Sequence, residues 1–444
     1  MKELIVHSPG PLRGTVSVPG DKSISHRALI LSALAQGTTK IRGLLKAEDV
    51  SRTREVLQAL GTDIRDEGDL TVVTGRGGVF EEPKDVLYCG NSGTTMRLMM
   101  GVLAGQDFTA RLTGDASLNR RPMKRVTDPL TRMGTSFCES NDKKWGRVIE
   151  VRGSRGLAAI SYELPVASAQ VKSAVMLAGL FAKGISKITE SRRSRNHTEL
   201  MAHEWGGNIG IEGGKTITVQ RSTLRAPAAP FHVPGDFSSA AFFIAAGLLV
   251  PDSEITIQGV GLNETRTALL EVLTAMGGSI IVRSLSGDAG ERYGNLLVKS
   301  GSLITPPAGQ TIEGKVLPRM IDEIPILGVL AAFSTGAMRV SEAEELRVKE
   351  SDRIETLAQE LKKMGAKVMT YPDGFDVEGG SPLHPAVFDS HGDHRIAMAM
   401  AVAGMALQGG PSTIRNTDCI ATSFPKFVET FQQLGATIEE KNSV

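Results

Sequence analysis

The sequence predicts an α/β fold assembled from six copies of one unit, grouped as two lobes of three. Three observations predict it. A Gly-centred pattern recurs six times, a strand-like run sits about 20 residues ahead of each copy, and a Val-Pro-Gly-Asp signature appears twice. The pattern reads Leu60-Gly61-Thr62-Asp63-Ile64, Met133-Gly134-Thr135-Ser136-Phe137 and Trp205-Gly206-Gly207-Asn208-Ile209. It continues as Met276-Gly277-Gly278-Ser279-Ile280, Met364-Gly365-Ala366-Lys367-Val368 and Leu434-Gly435-Ala436-Thr437-Ile438. Successive glycines are 73, 72, 71, 88 and 70 residues apart. Each copy follows a helical pattern, such as Val50 to Leu60, so the Gly is read as the left-handed residue that ends a helix. The chain holds 49 glycines in 444 residues, about 11% against a usual ~7%. Six of them are thereby structural.

The other elements follow in order. The second series comprises Lys40-Ile41-Arg42, Arg111-Leu112-Thr113, Lys187-Ile188-Thr189, Thr256-Ile257-Gln258, Arg339-Val340-Ser341 and Thr413-Ile414-Arg415. Each lies in a short alternating run, the signature of a half-buried strand. Ahead of each comes an Ala/Leu/Met-rich stretch that reads as a buried helix, for example Ala28 to Ala35 and Ala240 to Val250. The unit is strand, helix, strand, helix, then one or two strands. The long fourth interval has its surplus between Ser284 and Lys315, read as an inserted hairpin and loop. Val18-Pro19-Gly20-Asp21 is echoed by Val233-Pro234-Gly235-Asp236, and this punctuation marks chain crossings. One domain is expected at 20–234 and the other at 235–444 together with 1–19, with a ligand cleft between them.

Composition narrows the function. The 50 Lys+Arg and 49 Asp+Glu leave a net charge of +1, which argues against nucleic acid or a membrane surface as partner. Three cysteines suit a reducing compartment, and Cys89, Cys138 and Cys419 read as buried small hydrophobes. The N-terminus has no apolar core of signal-peptide length, and the most apolar stretch, Ile396 to Leu407, is too short to span a bilayer.

Chemistry gathers where the buried helices begin. The starts read Gly20-Asp21-Lys22-Ser23-Ile24-Ser25-His26-Arg27, Gly90-Asn91-Ser92-Gly93-Thr94-Thr95-Met96-Arg97 and Ala167-Ser168-Ala169-Gln170-Val171-Lys172. The other three are Gly235-Asp236-Phe237-Ser238-Ser239, Met320-Ile321-Asp322-Glu323 and Gly392-Asp393-His394-Arg395. Helix N-termini attract anions, and Lys22, Arg27, Arg97 and Arg395 strengthen that. Plain capping by Ser, Asp and Asn explains Gly235–Ser239, which lacks a cation, but not the basic members. Two loops add cations: Gly114 to Arg125, with four within six residues, and Glu345 to Arg353, where Glu350 among cations is a proton-transfer candidate and Asp352 with Glu355 a capping pair. Gly214-Lys215-Thr216 fails as a P-loop because Ile209 holds the first Gly position, and no dinucleotide fingerprint follows the first strand. His391 and His394 lack a third metal ligand and read as capping or packing residues.

Taken in register, these loops resemble the 5-enolpyruvylshikimate-3-phosphate synthase family over essentially the whole chain. The resemblance rests on Pro-Gly-Asp-Lys-Ser-Ile-Ser-His-Arg (19–27), Gly-Asn-Ser-Gly-Thr (90–94) and Arg-Arg-Pro-Met (120–123). It continues with Ala-Ser-Ala-Gln-Val-Lys-Ser (167–173), Leu-Arg-Val-Lys-Glu-Ser-Asp-Arg (346–353) and Asp-His-Arg-Ile-Ala-Met (393–398). It implies a two-domain inside-out α/β barrel of six βαβαββ-type repeats, three per domain. It also implies transfer of the enolpyruvyl group of phosphoenolpyruvate to the 5-hydroxyl of shikimate 3-phosphate, in aromatic amino acid biosynthesis, with release of phosphate. By that resemblance Lys22, Gly93, Arg121, Gln170, Arg353 and Arg395 hold phosphoenolpyruvate. Lys22, Ser23, Arg27, Ser168, Ala169, Gln170, Arg195, Asp322 and Lys349 hold shikimate 3-phosphate. Lys22, Asp322 and Glu350 are the catalytic candidates, and which moves which proton stays open. The family implies no cofactor and no metal, and glyphosate as inhibitor, with sensitivity expected because Gly93 is not Ala; the cysteines and the N-terminus point to the cytoplasm, and the lack of an exposed amphipathic seam to a monomer.

Two positions depart from the family pattern. Some members place a Lys directly before Thr-Phe-Pro, whereas here the segment is Ala421-Thr422-Ser423-Phe424-Pro425; and Leu98 follows Arg97 where many have Pro. The rival UDP-N-acetylglucosamine enolpyruvyl transferase usually carries a Cys five residues before the Arg-Pro of its mobile loop, where Ala116 stands in this chain. An RNA-end cyclase would need a nucleotide-binding His or P-loop-like element, and neither is found. A non-catalytic anion-binding scaffold would not need Asp322 or Glu350 among its cations.

Overall fold

The computed structural model describes residues 2–287, 290–301, 305–306 and 310–442. Part of the expected insertion between Ser284 and Lys315 falls at 288–289, 302–304 and 307–309, outside the described residues. The described residues there show no added hairpin: Ser279–Ser286 and Tyr293–Lys299, which pair antiparallel, are the two closing strands that every repeat has, here eight and seven residues long. The chain divides into two compact units. One gathers Gly20–Val233 and Ala289–Glu291; the other gathers Met1–Pro19, Pro234–Asp288 and Arg292–Val444.

The repeat is a βαβαββ unit, shown most plainly by Ser161–Leu164, Ala169–Gly179, Ile185–Glu190, His197–Glu204, Asn208–Glu212 and Thr216–Gln220. The first two strands are parallel, with Tyr162 opposite Ile188. The last strand slots antiparallel beside the second, and the third forms the outer edge. Among the described residues six four-stranded sheets of this type are formed, three in each unit.

Six helices at the centre of the repeats are apolar around nearly their whole circumference. They are α1 (Lys22–Leu34), α2 (Gly93–Ala104), α3 (Ala169–Gly179), α4 (Phe237–Leu249), α5 (Ile324–Ala332) and α6 (His394–Ala406). Such helices are stable only when enclosed. The first three lie in the core of one unit and the last three in that of the other, with the sheets around them. Small residues permit the close crossings: a Cβ on Gly101 of α2 would meet the Ala174 carbonyl of α3 at 2.2 Å. Arg353–Lys363, the second helix of its repeat, is amphipathic instead and buries Ile354, Leu357, Ala358 and Leu361.

All six predicted glycines end helices in one way. Gly61, Gly134, Gly206, Gly277, Gly365 and Gly435 have φ of 85, 108, 76, 92, 97 and 96°. Paired hydrogen bonds such as Gly61 N to Gln58 O and Thr62 N to Leu57 O close each end. This is the Schellman arrangement, in which a left-handed residue lets two orphan helix carbonyls be capped.

Two chain exchanges are not foreshadowed by the repeat. The strand ahead of α1, Arg13–Ser17, pairs not with its own repeat but parallel to Glu254–Gly261. Phe231–His232, ahead of α4, takes the vacated edge beside Thr38–Arg42. Lys2–Val6 lies between Ser412–Arg415 and Ile438–Asn442, completing the sixth sheet. Cys89 is buried and Cys419 partly so, but Cys138 is exposed, contrary to its expected burial. It stands on Ser136–Asp142, an edge strand whose residues are almost all exposed.

Candidate functional site

In the unit Gly20–Val233, the predicted residues meet at the N-terminal ends of α1, α2 and α3. Side-chain caps from Asp21, Ser92 and Ser168 fix those ends, each accepting a first-turn N–H. That occupies one of the four orphan N–H groups at each end and leaves the positive dipole facing outward. Lys22 opens α1, its Nζ 2.9 Å from Asp49 Oδ2 on the neighbouring helix Glu48–Ala59. Arg27, one turn on, is buried and donates three hydrogen bonds. Its Nε donates to Thr198 Oγ1 (2.7 Å), Nη2 to Ser173 Oγ (2.8 Å) and Nη1 to the Ser23 carbonyl (2.9 Å). Burial pulls the guanidinium down to about 10, with Glu199 and Asp21 opposing and half-buried Arg195 adding repulsion.

The starts of α2 and α3 are tied together. Gln170 accepts from Arg97 Nη1 at 2.5 Å and donates to Thr94 Oγ1 at 2.9 Å. Arg121 Nη2 donates to Asn91 Oδ1 at 2.6 Å. A Cβ on Gly93 would stand 3.1 Å from Arg97 Nη1 and 3.2 Å from Arg121 Nη1, so the bare glycine lets two guanidinium groups crowd the first turn of α2. Ala169 is the first residue of α3, half-buried beside its cap. The lysine of the same motif turns away: Lys172 is fully buried, 2.9 Å from Glu190 and 2.7 Å from Glu199.

The second unit brings its predicted residues together at the starts of α5 and α6. Arg353 is 2% exposed and held by three carboxylates. Nε donates to Asp393 Oδ2 (2.8 Å), Nη2 to Glu350 Oε2 (2.6 Å) and Nη1 to Asp322 Oδ1 (3.2 Å). Arg395 donates from Nη1 to the Asp322 carbonyl (3.1 Å) and lies 3.8 Å from its carboxylate. Burial alone would lower the Arg353 guanidinium, but Asp393, Glu350 and Asp322 overcome it and raise it. Asp393 is held below the usual carboxylate range: burial would raise it, and the Arg353 charge outweighs that. Lys349 is lowered by burial, with Arg353 repelling it and Asp322, Glu345 and Glu350 opposing. Carboxylates here are matched by cations, whereas cations dominate the ends of α1–α3.

The start of α4 corrects a sequence expectation. Asp236 caps it, but a cation is present after all. Arg266, 28 residues on, donates to Ser238 Oγ at 2.6 Å and lies 3.6 Å from Asp236. Ser238 also donates to Glu323, so the starts of α4 and α5 share one buried network. At the departure from the family pattern, Thr422 Oγ1 bonds the Cys419 carbonyl, and Lys426 is exposed ahead of the helix Phe427–Gln432. His391, exposed and expected to cap or pack, instead places Nε2 2.9 Å from the buried carboxylate of Glu360.

Residues 6–431 match the family model of EPSP synthase (3-phosphoshikimate 1-carboxyvinyltransferase). The chain belongs to the EPSP synthase family. It is 48% identical over 434 residues to the 3-phosphoshikimate 1-carboxyvinyltransferase of Synechococcus sp. (strain JA-3-3Ab), covering 95% of this chain and 94% of that one. Against the enzyme of the same name from Geotalea uraniireducens (strain Rf4) it is 46% identical over 426 residues, 95% and 97% of the two chains. Among solved structures, EPSP synthase from Acinetobacter baumannii superposes with a TM-score of 0.86 at 37% identity, covering 100% of both chains. An enolpyruvyl transferase from Streptomyces tendae has a TM-score of 0.78 at 19% identity, over 100% of this chain and 99% of that one, and shows the shared fold.

Several partners in this EPSP synthase family site escaped the sequence reading. Asn91, Thr94 and Asp393 lie inside the quoted motifs, where their spacing from Arg121, Gln170 and Arg353 gave no sign of contact. Ser173 closes the quoted 167–173 motif, while Asp49 and Thr198 carried only the signal of being polar at positions the structure brings beside Lys22 and Arg27.

Proposed function

We infer that this chain is a 3-phosphoshikimate 1-carboxyvinyltransferase. It transfers the enolpyruvyl group of phosphoenolpyruvate to the 5-hydroxyl of shikimate 3-phosphate and releases phosphate. The observation that carries the reading is Asp322, a carboxylate bonded to Arg353 and 3.8 Å from Arg395, with Glu350 on the same guanidinium. A carboxylate placed between cations can accept a hydroxyl proton, and the same cations attract the phosphate and carboxylate of phosphoenolpyruvate. Arg27, Ser23, Ser168, Ala169, Gln170, Arg195 and Lys349 are assigned to shikimate 3-phosphate. Lys22, Gly93, Arg121, Gln170, Arg353 and Arg395 are assigned to phosphoenolpyruvate.

The 5-oxygen adds to C2 of phosphoenolpyruvate as C3 takes a proton, giving a tetrahedral intermediate. Loss of a C3 proton then expels phosphate. Lys22 and Glu350 are the groups assigned to the C3 proton, and Asp322 to the hydroxyl proton. The test mixes the protein with both substrates and follows inorganic phosphate. Release is expected with shikimate 3-phosphate alone as acceptor. No release, or equal release with UDP-N-acetylglucosamine in its place, overturns the reading.

Glyphosate is proposed to compete with phosphoenolpyruvate, because Gly93 leaves the first turn of α2 open beside Arg97 and Arg121. Inhibition that does not compete would count against it. The chain is proposed to work as a cytoplasmic monomer. Its three cysteines are unpaired, as in a reducing compartment. Among the described residues no helix is long and apolar enough to cross a membrane. Sedimentation at one chain's mass checks the monomer.

A further inference from the structure

At the other end of α1, α2 and α3, within the unit Gly20–Val233, the three repeats converge again. The last strand of each sheet is Leu70–Thr74, Gly146–Arg152 or Thr216–Gln220. The segment after each strand turns onto the C-terminal end of its repeat's central helix. Gly77 N bonds Ala35 O, Ser154 N bonds Ala104 O, and Ser222 N bonds Leu180 O. These three segments and the helix ends beside them line an open pocket of about 340 Å³, of the size that holds a small molecule. Leu34, Val79, Phe181 and Leu224 supply apolar lining, while Arg155 and Arg221 stand in the same wall.

We propose that this pocket is a second binding site, for a small molecule bearing a carboxylate on a flat unsaturated ring. The two arginines carry the charge argument. Both are exposed, and neither bonds or ion-pairs with another described residue. Their counterpart after the first sheet, Arg76, is spent on Glu81 and the Gly61 carbonyl. Nor are the two needed to cap the helices, since backbone N–H groups already bond those carbonyls. Three helix C-termini oppose an anion, each with roughly half a negative charge. Their carbonyls are bonded, and two full cations outweigh what remains. A planar guanidinium fork favours a carboxylate, which it grips with two parallel bonds.

Phe181 carries the ring argument. Its ring lies against Gly105, where a Cβ would come within 2.3 Å of it, and its edge reaches Gly78. Two glycines thus seat one aromatic side chain in the wall of the pocket, ready for offset stacking. The site does not depend on the transferase reading.

The test titrates benzoate into the full chain by ligand-detected NMR. Saturable binding is expected, weakened at least about tenfold in the Arg155→Ala/Arg221→Ala double variant through loss of both charge-assisted pairs. Phe181→Leu is expected to weaken benzoate while leaving acetate unchanged. Both substitutions that remove charge lie on exposed residues, so thermal unfolding should match the parent. No saturable binding, or equal binding by the double variant, overturns the proposal. So does loss of binding in Arg121→Ala with retention in the double variant, which would put benzoate at the opposite helix ends. Inorganic phosphate displacing benzoate as well as benzoate displaces itself would overturn the ring requirement.

Discussion

Lys22 Nζ and Lys172 Nζ each lie 2.9 Å from a carboxylate oxygen, in the same unit, yet the two pairs serve different ends. Lys22 keeps about one-sixth of its side chain exposed at the start of α1, among residues assigned to substrate. Lys172 has none exposed and sits between Glu190 and Glu199. Removing the charge from a fully buried cluster strands its partners and costs about 3–5 kcal/mol, and the Lys22–Asp49 pair, where water still reaches both side chains, loses less. Lys22→Met is therefore expected to abolish phosphate release with the fold intact, and Lys172→Met to lower the denaturation midpoint steeply. Retained turnover in the first variant would remove Lys22 from the chemistry. Unchanged stability in the second would show that the two carboxylates need no counter-charge. The sequence showed the cations of the site because they cluster in short runs. It did not show their partners: Asp49 is 27 residues from Lys22 and Asp393 is 40 from Arg353, and no local pattern joins such pairs.

Among elements, the helix ends were the most legible feature, because a left-handed residue is a purely local demand that glycine alone meets cheaply. Gly134 isolates that demand: its φ is +108° and nothing lies within 4 Å of a Cβ built there. Gly134→Ala should lose about 1–2 kcal/mol from backbone conformation alone, read by chemical denaturation. An unchanged midpoint would mean the helix end relaxes freely. The buried bridge between helices was not legible. His26 of α1 meets Thr53 Oγ1 at 2.6 Å, Thr53 meets Thr95 Oγ1 of α2 at 2.7 Å, and Thr95 donates to Ser92 at 2.8 Å. Burial holds the His26 imidazole well below its ordinary 6.5, and the Lys22 and Arg27 charges add to that. Below 6.5 the unfolded chain takes up a proton that the native imidazole refuses, so its contribution to stability is full above 6.5 and falls away as pH drops beneath it. His26→Asn, which cannot titrate, should flatten the acid side of the stability–pH curve. An acid limb as steep as the parent's would assign that loss to other groups.

At the scale of the whole molecule, periodicity predicted six repeats but not how the chain is shared among their sheets. Strand Arg13–Ser17 pairs with residues about 240 positions away, and an alternating run of five residues carries no information about which edge it joins. The consequence is asymmetric. The three sheets around α1–α3 draw only on strands between residues 38 and 232, while the three around α4–α6 also need Lys2–Val6 and Arg13–Ser17. Those two strands, and the loop joining them, bury Leu4, Val6, Leu12 and Val16 in the core of the second unit. A chain beginning at Gly20 thus removes a sheet edge from Glu254–Gly261 and a central strand from between Ser412–Arg415 and Ile438–Asn442. Unpaired buried backbone groups and lost apolar burial both act against that unit alone. Hydrogen exchange on the shortened chain should show amides of α1–α3 still protected. Those of Ile255–Ile257 and Ser412–Arg415 should exchange orders of magnitude faster, because the second unit then opens at little free-energy cost. Equal loss of protection in both units would mean that they fold as one cooperative body, and unchanged protection in both would mean that the two exchanged strands are dispensable.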